Sequence, residues 1–122
     1  MNSLYSCALV AVLSLAGAGP AFAHADLASA DPAAGASVKT APTEISITFT
    51  EEVLPKFSSI QVLDAGGKRV EEGAAHTAPD NEKLLSVGLK PLAPGTYKVI
   101  WHAMAADDSH KTKGSYEFTV KP

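Results

Sequence analysis

From residue 45 onward the apolar residues of this chain fall on alternate positions, in short runs that Pro, Gly and Asp interrupt. Ile45, Ile47 and Phe49 alternate with Ser46 and Thr48, and Ile60 and Val62 repeat the pattern. Leu85, Val87 and Leu89 do so again, followed by Tyr97, Val99 and Trp101 and finally by Tyr116, Phe118 and Val120. A period of two puts each set on one face of a strand, where it can be buried while its neighbours stay wet. The breakers carry turn chemistry: TAPTE stands before the first run, DAGGK after the second and KPLAPG after the third. No window keeps a 3.6-residue apolar stripe over three turns, so no long helix is expected. Residues 71–83, EEGAAHTAPDNEK, are polar and irregular and read as a long surface connection. The fold class is therefore all-β, a sandwich or Greek-key barrel of short strands, with Trp101 as the natural core anchor.

The first 23 residues have a different character. MNSLYSCALVAVLSLAGAGPAFA carries no charged side chain, has an apolar stretch over residues 8–16, and ends in the small-x-small pattern Ala21-Phe22-Ala23. That is the pattern of a secretory signal, although its start lacks the usual Lys or Arg. Gly17, Gly19 and Pro20 interrupt the apolar run short of the roughly 20 residues that span a bilayer. The reading is a signal peptide over 1–23 and one domain over 24–122, with no membrane span in the mature chain. Ala23-His24-Ala25 and Ala16-Gly17-Ala18 also satisfy the small-x-small rule, and the Gly-Pro pair upstream favours the cut after Ala23.

All 10 basic and 13 acidic residues lie beyond the leader, for a net charge of −3. That balance, with no basic-aromatic patch, excludes nucleic acid as a partner. The single cysteine, Cys7, is in the leader and no apolar stretch precedes it, so it does not read as a lipid-attachment site. The mature domain thus has no disulfide, no thiolate ligand and no cysteine nucleophile.

Histidine is where the remaining chemistry lies. Cleavage after Ala23 would make His24 the first residue, with its amine and imidazole forming one chelating pair. The amine's ordinary pKa, near 7.7–8.0, makes deprotonation at neutral pH inexpensive. Asp108-Ser109-His110 sets a carboxylate and an imidazole at i and i+2, on one side of the chain if the backbone is extended. Such a carboxylate can bind a metal itself or hydrogen-bond the ligating histidine; alone, a D-x-H triplet is more often a polar loop. Combined, His24, His110 and Asp108 offer three nitrogens and one oxygen. That set suits tetragonal Cu(II), and zinc could use it tetrahedrally.

The order of HADLASADPAAGASV, ISITFTEEV, LAPGTYKVIWHAMAADDSH and GSYEFTV resembles the CopC family of periplasmic copper-binding proteins over essentially all of 24–122. The resemblance rests on the mature N-terminal His, the proline-glycine turn after the first strand, L-x-P-G-x-Y-x-V-x-W and then D-x-H. It implies an Ig-like Greek-key sandwich of about seven strands with Cu(II) at one end. The ligands it implies are His24, Asp108 and His110, with Glu51 near the copper as a weak ligand or a partner behind the ligands. Glu52 and the Glu71-Glu72 pair read as solvated charge, His76 as a loop residue and His102 as an exposed strand residue.

Some members of that family hold Cu(I) on a methionine-rich loop, but residues 24–122 contain one methionine, Met104, and thioether coordination of soft Cu(I) needs several. The glycine and proline usual beside the D-x-H histidine are here Ser109 and Lys111, which with Lys113 add positive charge suited to an acidic partner. A membrane copper transporter, on this reading, is a separate protein. The implied function is periplasmic Cu(II) buffering, storage or transfer without bond-making. The alternatives are a copper oxidoreductase built on an N-terminal histidine brace, and an adhesive sandwich whose histidines have no joint role.

Overall fold

Alternation puts Ile45, Ile47 and Phe49 on the inner face of β3 (Glu44–Phe49), where each is essentially inaccessible to water. The computed structural model describes residues 25–122. The expected signal peptide over 1–23, with Cys7, and His24 lie outside these residues. The other strands are β1 (Leu27–Asp31), β2 (Ser37–Val38), β4 (Ser59–Leu63), β5 (Glu71–Ala78), β6 (Asn81–Leu89), β7 (Gly95–Met104) and β8 (Lys111–Val120). A single 3-10 turn, Pro55–Phe57, leads into β4. Among the described residues no helix is long and apolar enough to cross a membrane.

The strands form two four-stranded sheets, ordered β1-β3-β6-β5 and β2-β8-β7-β4. Every pairing is antiparallel except that of the two-residue β2 with β8. Without β2, the order is that of the seven-stranded immunoglobulin constant-type sandwich, four strands facing three. The expected count of about seven is thus met by seven full strands and one short addition. Every alternating set picked out above is buried, from Ile60 and Val62 to Phe118 and Val120. Each such side chain removed from water contributes roughly 1.5–3 kcal/mol.

Local chemistry fixes the corners. In the DAGGK turn, Asp64 Oδ1 accepts hydrogen bonds from the amides of Gly66 and Lys68, each at 2.9 Å. Gly67 takes the positive φ (83°) that the turn requires. Tyr97, near the start of β7, donates its hydroxyl to the carbonyl of Ala93 at 2.5 Å, the tyrosine corner of immunoglobulin-type folds. Its ring stacks on Phe118 with centroids 5.4 Å apart.

Two expectations are corrected. Residues 71–83 are no surface connection: they form β5, a tight turn at Pro79-Asp80 and the start of β6. His76 therefore lies on an exposed strand position, paired with Ser86. EEGAAHTA hides its strand because β5 is an edge strand with interrupted register between Glu72 and His76, where Gly73 adopts φ 79°. Its extended form is imposed by the β6 ladder and carries no alternation of its own. Nor is Glu71 solvated: its side chain is 6 % exposed. It accepts hydrogen bonds from the Val62 amide (2.9 Å) and Arg69 Nε (2.7 Å), tying β5 to β4 in the opposite sheet. Burial alone would raise the Glu71 pKa; the bonds from Arg69 and Val62 outweigh it and hold the group below the usual carboxylate value.

Tyr116 is the one buried polar side chain whose hydroxyl lacks a hydrogen-bond partner among the described residues. Burial, and secondarily the charge of Asp31, push its phenol above the ordinary tyrosine range. Leaving such a group unpaired costs about 1–3 kcal/mol. Tyr116→Phe is therefore expected to keep or raise the urea midpoint; a clear drop would mean that the hydroxyl has found a partner.

Candidate metal centre

Three segments converge at one end of the sandwich: the approach to β1, the chain leaving β3, and the β7–β8 loop. Ala25 is fully buried in the core, and its carbonyl accepts the Thr112 hydroxyl at 2.5 Å. The next residue is held from the other sheet: the Asp26 amide donates to Thr50 Oγ1 (3.0 Å) and its carbonyl accepts the Thr50 amide (2.8 Å). The start of the described chain is thus pinned between β3 and β8. These two threonines are residues that sequence reasoning missed, since in a β-rich chain a threonine is unremarkable and neither sits in a motif.

The β7–β8 loop closes on Ala105, whose amide donates to the His110 carbonyl (2.9 Å) and whose carbonyl accepts the Ser109 amide (3.1 Å). Ala106 donates to the Glu52 carbonyl at 2.9 Å, and Val53 bridges Ala105, so the loop is also stitched to the chain leaving β3. Asp108 and His110 are not spaced along extended backbone as expected. Ser109 takes a left-handed conformation (φ 58°), and Asp108 Oδ1 accepts the His110 amide at 2.9 Å. The aspartate side chain satisfies the turn's own donor, which is why the triplet bends. Both side chains remain exposed, and Asp108 keeps its second oxygen outside this bond.

Glu51 is half-buried, and with Glu52, Lys83, Ala106 and Asp107 it lines an open depression at this end. Three carboxylates against one lysine make the field here favourable to a cation. Glu52 is exposed, as expected. His102 and His76 belong elsewhere: His102 lies opposite Ser59 and Lys113 on the outer face of its sheet, and His76 is on β5. Among the described residues no three His, Cys, Asp or Glu side chains gather closely enough to hold a metal ion. The structure thus brings Asp108 and His110 together on one loop, beside the anchored Ala25. His24, the remaining residue of the expected ligand set, lies outside the described residues.

An eight-stranded immunoglobulin-type sandwich with a polar, acidic loop cluster at one end defines the class of protein. Its family follows from comparison: the CopC domain model matches residues 27–121, and the chain belongs to the CopC family. It is 40 % identical over 101 residues to protein YobA of Escherichia coli K12, covering 82 % of this chain and 81 % of that one. It is 35 % identical over 126 residues to copper resistance protein C of Xanthomonas campestris pv. juglandis, covering 98 % and 97 %. The crystal structure of CopC from Methylosinus trichosporium OB3b superimposes with a TM-score of 0.76 at 35 % identity, over 81 % of this chain and 95 % of that one.

Proposed function

We propose that this chain is an exported, periplasmic Cu(II) carrier that buffers, stores or hands over copper, with the ion as cargo and no bond made or broken on a substrate. The observation that carries the reading is the anchoring of Ala25. A cut after Ala25 would remove a fully buried residue and the bond its carbonyl makes with Thr112. A cut after Ala23 keeps both and creates an amine on His24, one residue ahead of an anchor whose partner, Thr112, stands two residues past His110. The ligands are then the amine and imidazole of His24, the imidazole of His110 and the carboxylate of Asp108, a nitrogen-rich set that fits Cu(II). Glu51 and its neighbouring acids contribute negative potential without direct ligation. A membrane copper transporter is the recipient that fits release on this side of a membrane.

Binding requires the amine and imidazoles to be deprotonated, so affinity falls as the solution is acidified. The test is a competitive Cu(II) titration of naturally processed protein whose N-terminal mass is read from the same sample. Tight one-to-one binding by a chain starting at His24 is the expected result; weak binding by that chain would sink the proposal. Brisk ascorbate-driven peroxide formation by the loaded protein would instead favour an oxidoreductase.

The histidines divide sharply under this reading. His110→Ala and Asp108→Ala are each expected to weaken Cu(II) binding by roughly tenfold or more, on the scale of metal-site perturbations. His76→Ala and His102→Ala should leave it unchanged. Equal losses at His76 and His110 in the same titration would refute the assignment.

A further inference from the structure

The outer face of the β2-β8-β7-β4 sheet is basic although the chain as a whole is acidic. On β7 the outward positions include Lys98, Ile100, His102 and Met104; on β8 they include Lys111, Lys113, Ser115 and Glu117. Register sets His102 directly opposite Lys113 and Met104 opposite Lys111, so the positive charge gathers toward the end where the β7–β8 loop lies. Lys98, His102 and Lys113 line one open depression with Ile100, Gly114 and Ser115. Only Glu117, opposite Lys98, offsets the charge within this ladder, and Arg69–Glu71 is the ion pair found elsewhere among the described residues. The opposite sheet carries the contrary sign: Glu44 and Glu72 flank Gly88, which has no side chain to separate them.

An exposed aromatic stands at the edge of the basic face. Phe57 is 62 % exposed, the one large apolar side chain so presented among the described residues. The turn that carries it is fastened to β7. The Leu54 amide donates to the Met104 carbonyl (2.9 Å), and Ser58 Oγ accepts the Met104 amide (3.1 Å). Ser59, two residues on, pairs with His102. The turn carrying Phe57 is thus fastened beside the basic ladder, with Lys56 next to the ring-bearing residue. An exposed aromatic rimmed by charge is the composition of a protein-binding hot spot, since burying the ring supplies affinity while the rim sets partner and orientation.

We infer that this face is a docking surface for a protein whose own surface is acidic and offers an apolar seat for Phe57. Two lysines and a histidine line the depression and no carboxylate does, so it repels a metal cation. A membrane is disfavoured because the four lysines here, one of them offset by Glu117, stand at the bottom of the range of about 4–8 Lys or Arg that lipid-binding clusters hold, each worth only about 1 kcal/mol. That the docked partner receives copper rests on the function proposed above; the docking itself does not.

The probe is a short peptide of glutamates around one central leucine, titrated into metal-free, processed protein and followed through its backbone amide resonances at low and raised salt. Shifts are expected at 56–59, 98–104 and 111–115, with affinity falling as salt rises. Lys98→Glu combined with Lys113→Glu should weaken binding about tenfold or more, and Phe57→Ser comparably. A serine in place of the peptide's leucine should mimic Phe57→Ser. All variants should keep wild-type amide dispersion and Cu(II) affinity.

Absent or scattered shifts overturn the inference. So does tighter binding to phosphatidylglycerol vesicles, which would make the face a membrane contact. Shifts that track protein concentration without peptide would make it a contact between copies of this chain. Because the protein is metal-free, failure here leaves copper binding untouched, and failure of copper binding leaves this result standing.

Discussion

His24→Ala, and a chain bearing one extra residue ahead of His24, are both expected to lose most of their Cu(II) affinity. The loss should exceed the roughly 10–100-fold that disturbing an outer partner of a metal ligand costs. The second variant is the sharper one. It keeps every side chain and removes only the position of the free amine, so the six-membered chelate through amine and Nδ1 is no longer available at that residue. Both variants should unfold at the wild-type urea concentration, because among the described residues Ala25 is held by Thr112 and Asp26 by Thr50, and neither variant touches those bonds. If the extended chain bound Cu(II) as tightly as the processed one, the amine would have no part in the site. The measurement is the competitive titration described above, run alongside urea unfolding.

Trp101→Ala is expected to have the largest effect on folding, about 3–5 kcal/mol from lost burial and the cavity left behind. Against a typical total of about 5–15 kcal/mol, that brings so small a domain close to unfolding at room temperature. The indole is 6 % exposed and meets Phe49 edge-on at 5.2 Å. It also lies against Gly114, its partner across the β7–β8 ladder. A Cβ built on Gly114 would fall 2.6 Å from Trp101 Cζ2 and 2.7 Å from Cε2, closer than any real contact. Gly114→Val therefore displaces the same ring from the other side, at a cost of about 1–3 kcal/mol or more for overpacking. The two changes should not add, since each removes the same contact. Chemical unfolding of both single variants and the double variant checks this; full additivity would mean that the ring and the glycine act independently.

Much of the fold could be read directly because strands buried on one face must alternate. Ile45, Ile47 and Phe49, or Tyr97, Val99 and Trp101, announce their inner face without any knowledge of what covers it. The strand that escaped notice, β5, lies at a sheet edge, takes its extended form from β6, and needs no apolar alternation to do so. Glu71 escaped for a related reason. A glutamate in a polar run looks solvated until the chain brings Val62 and Arg69 to its carboxylate, contacts made across a turn and between sheets.

The candidate site divides along the same line. His24, Asp108, His110 and Glu51 were named from residue type, spacing and resemblance, and the structure brings Asp108 and His110 onto one closed loop with Glu51 at the same end. The bend at Ser109 was not legible, because whether Asp108 satisfies the His110 amide depends on how Ala105 closes the loop. Nor was the anchoring of Ala25, which needs Thr112 at a separation of 87 residues.

The sequence by itself therefore determined an all-β chain, the inner face of most of its strands, the family it belongs to, and which residues have the chemistry to hold a metal. Periodicity, turn residues and donor atoms are local properties. Only the tertiary structure decided that β5 is a strand, that Glu71 clasps the two sheets, that the start of the described chain is pinned beside the β7–β8 loop, and that lysines from β7 and β8 share one face beside Phe57. Each of those depends on partners far apart in the chain, whose meeting is set by strand order and register, and no local pattern encodes it.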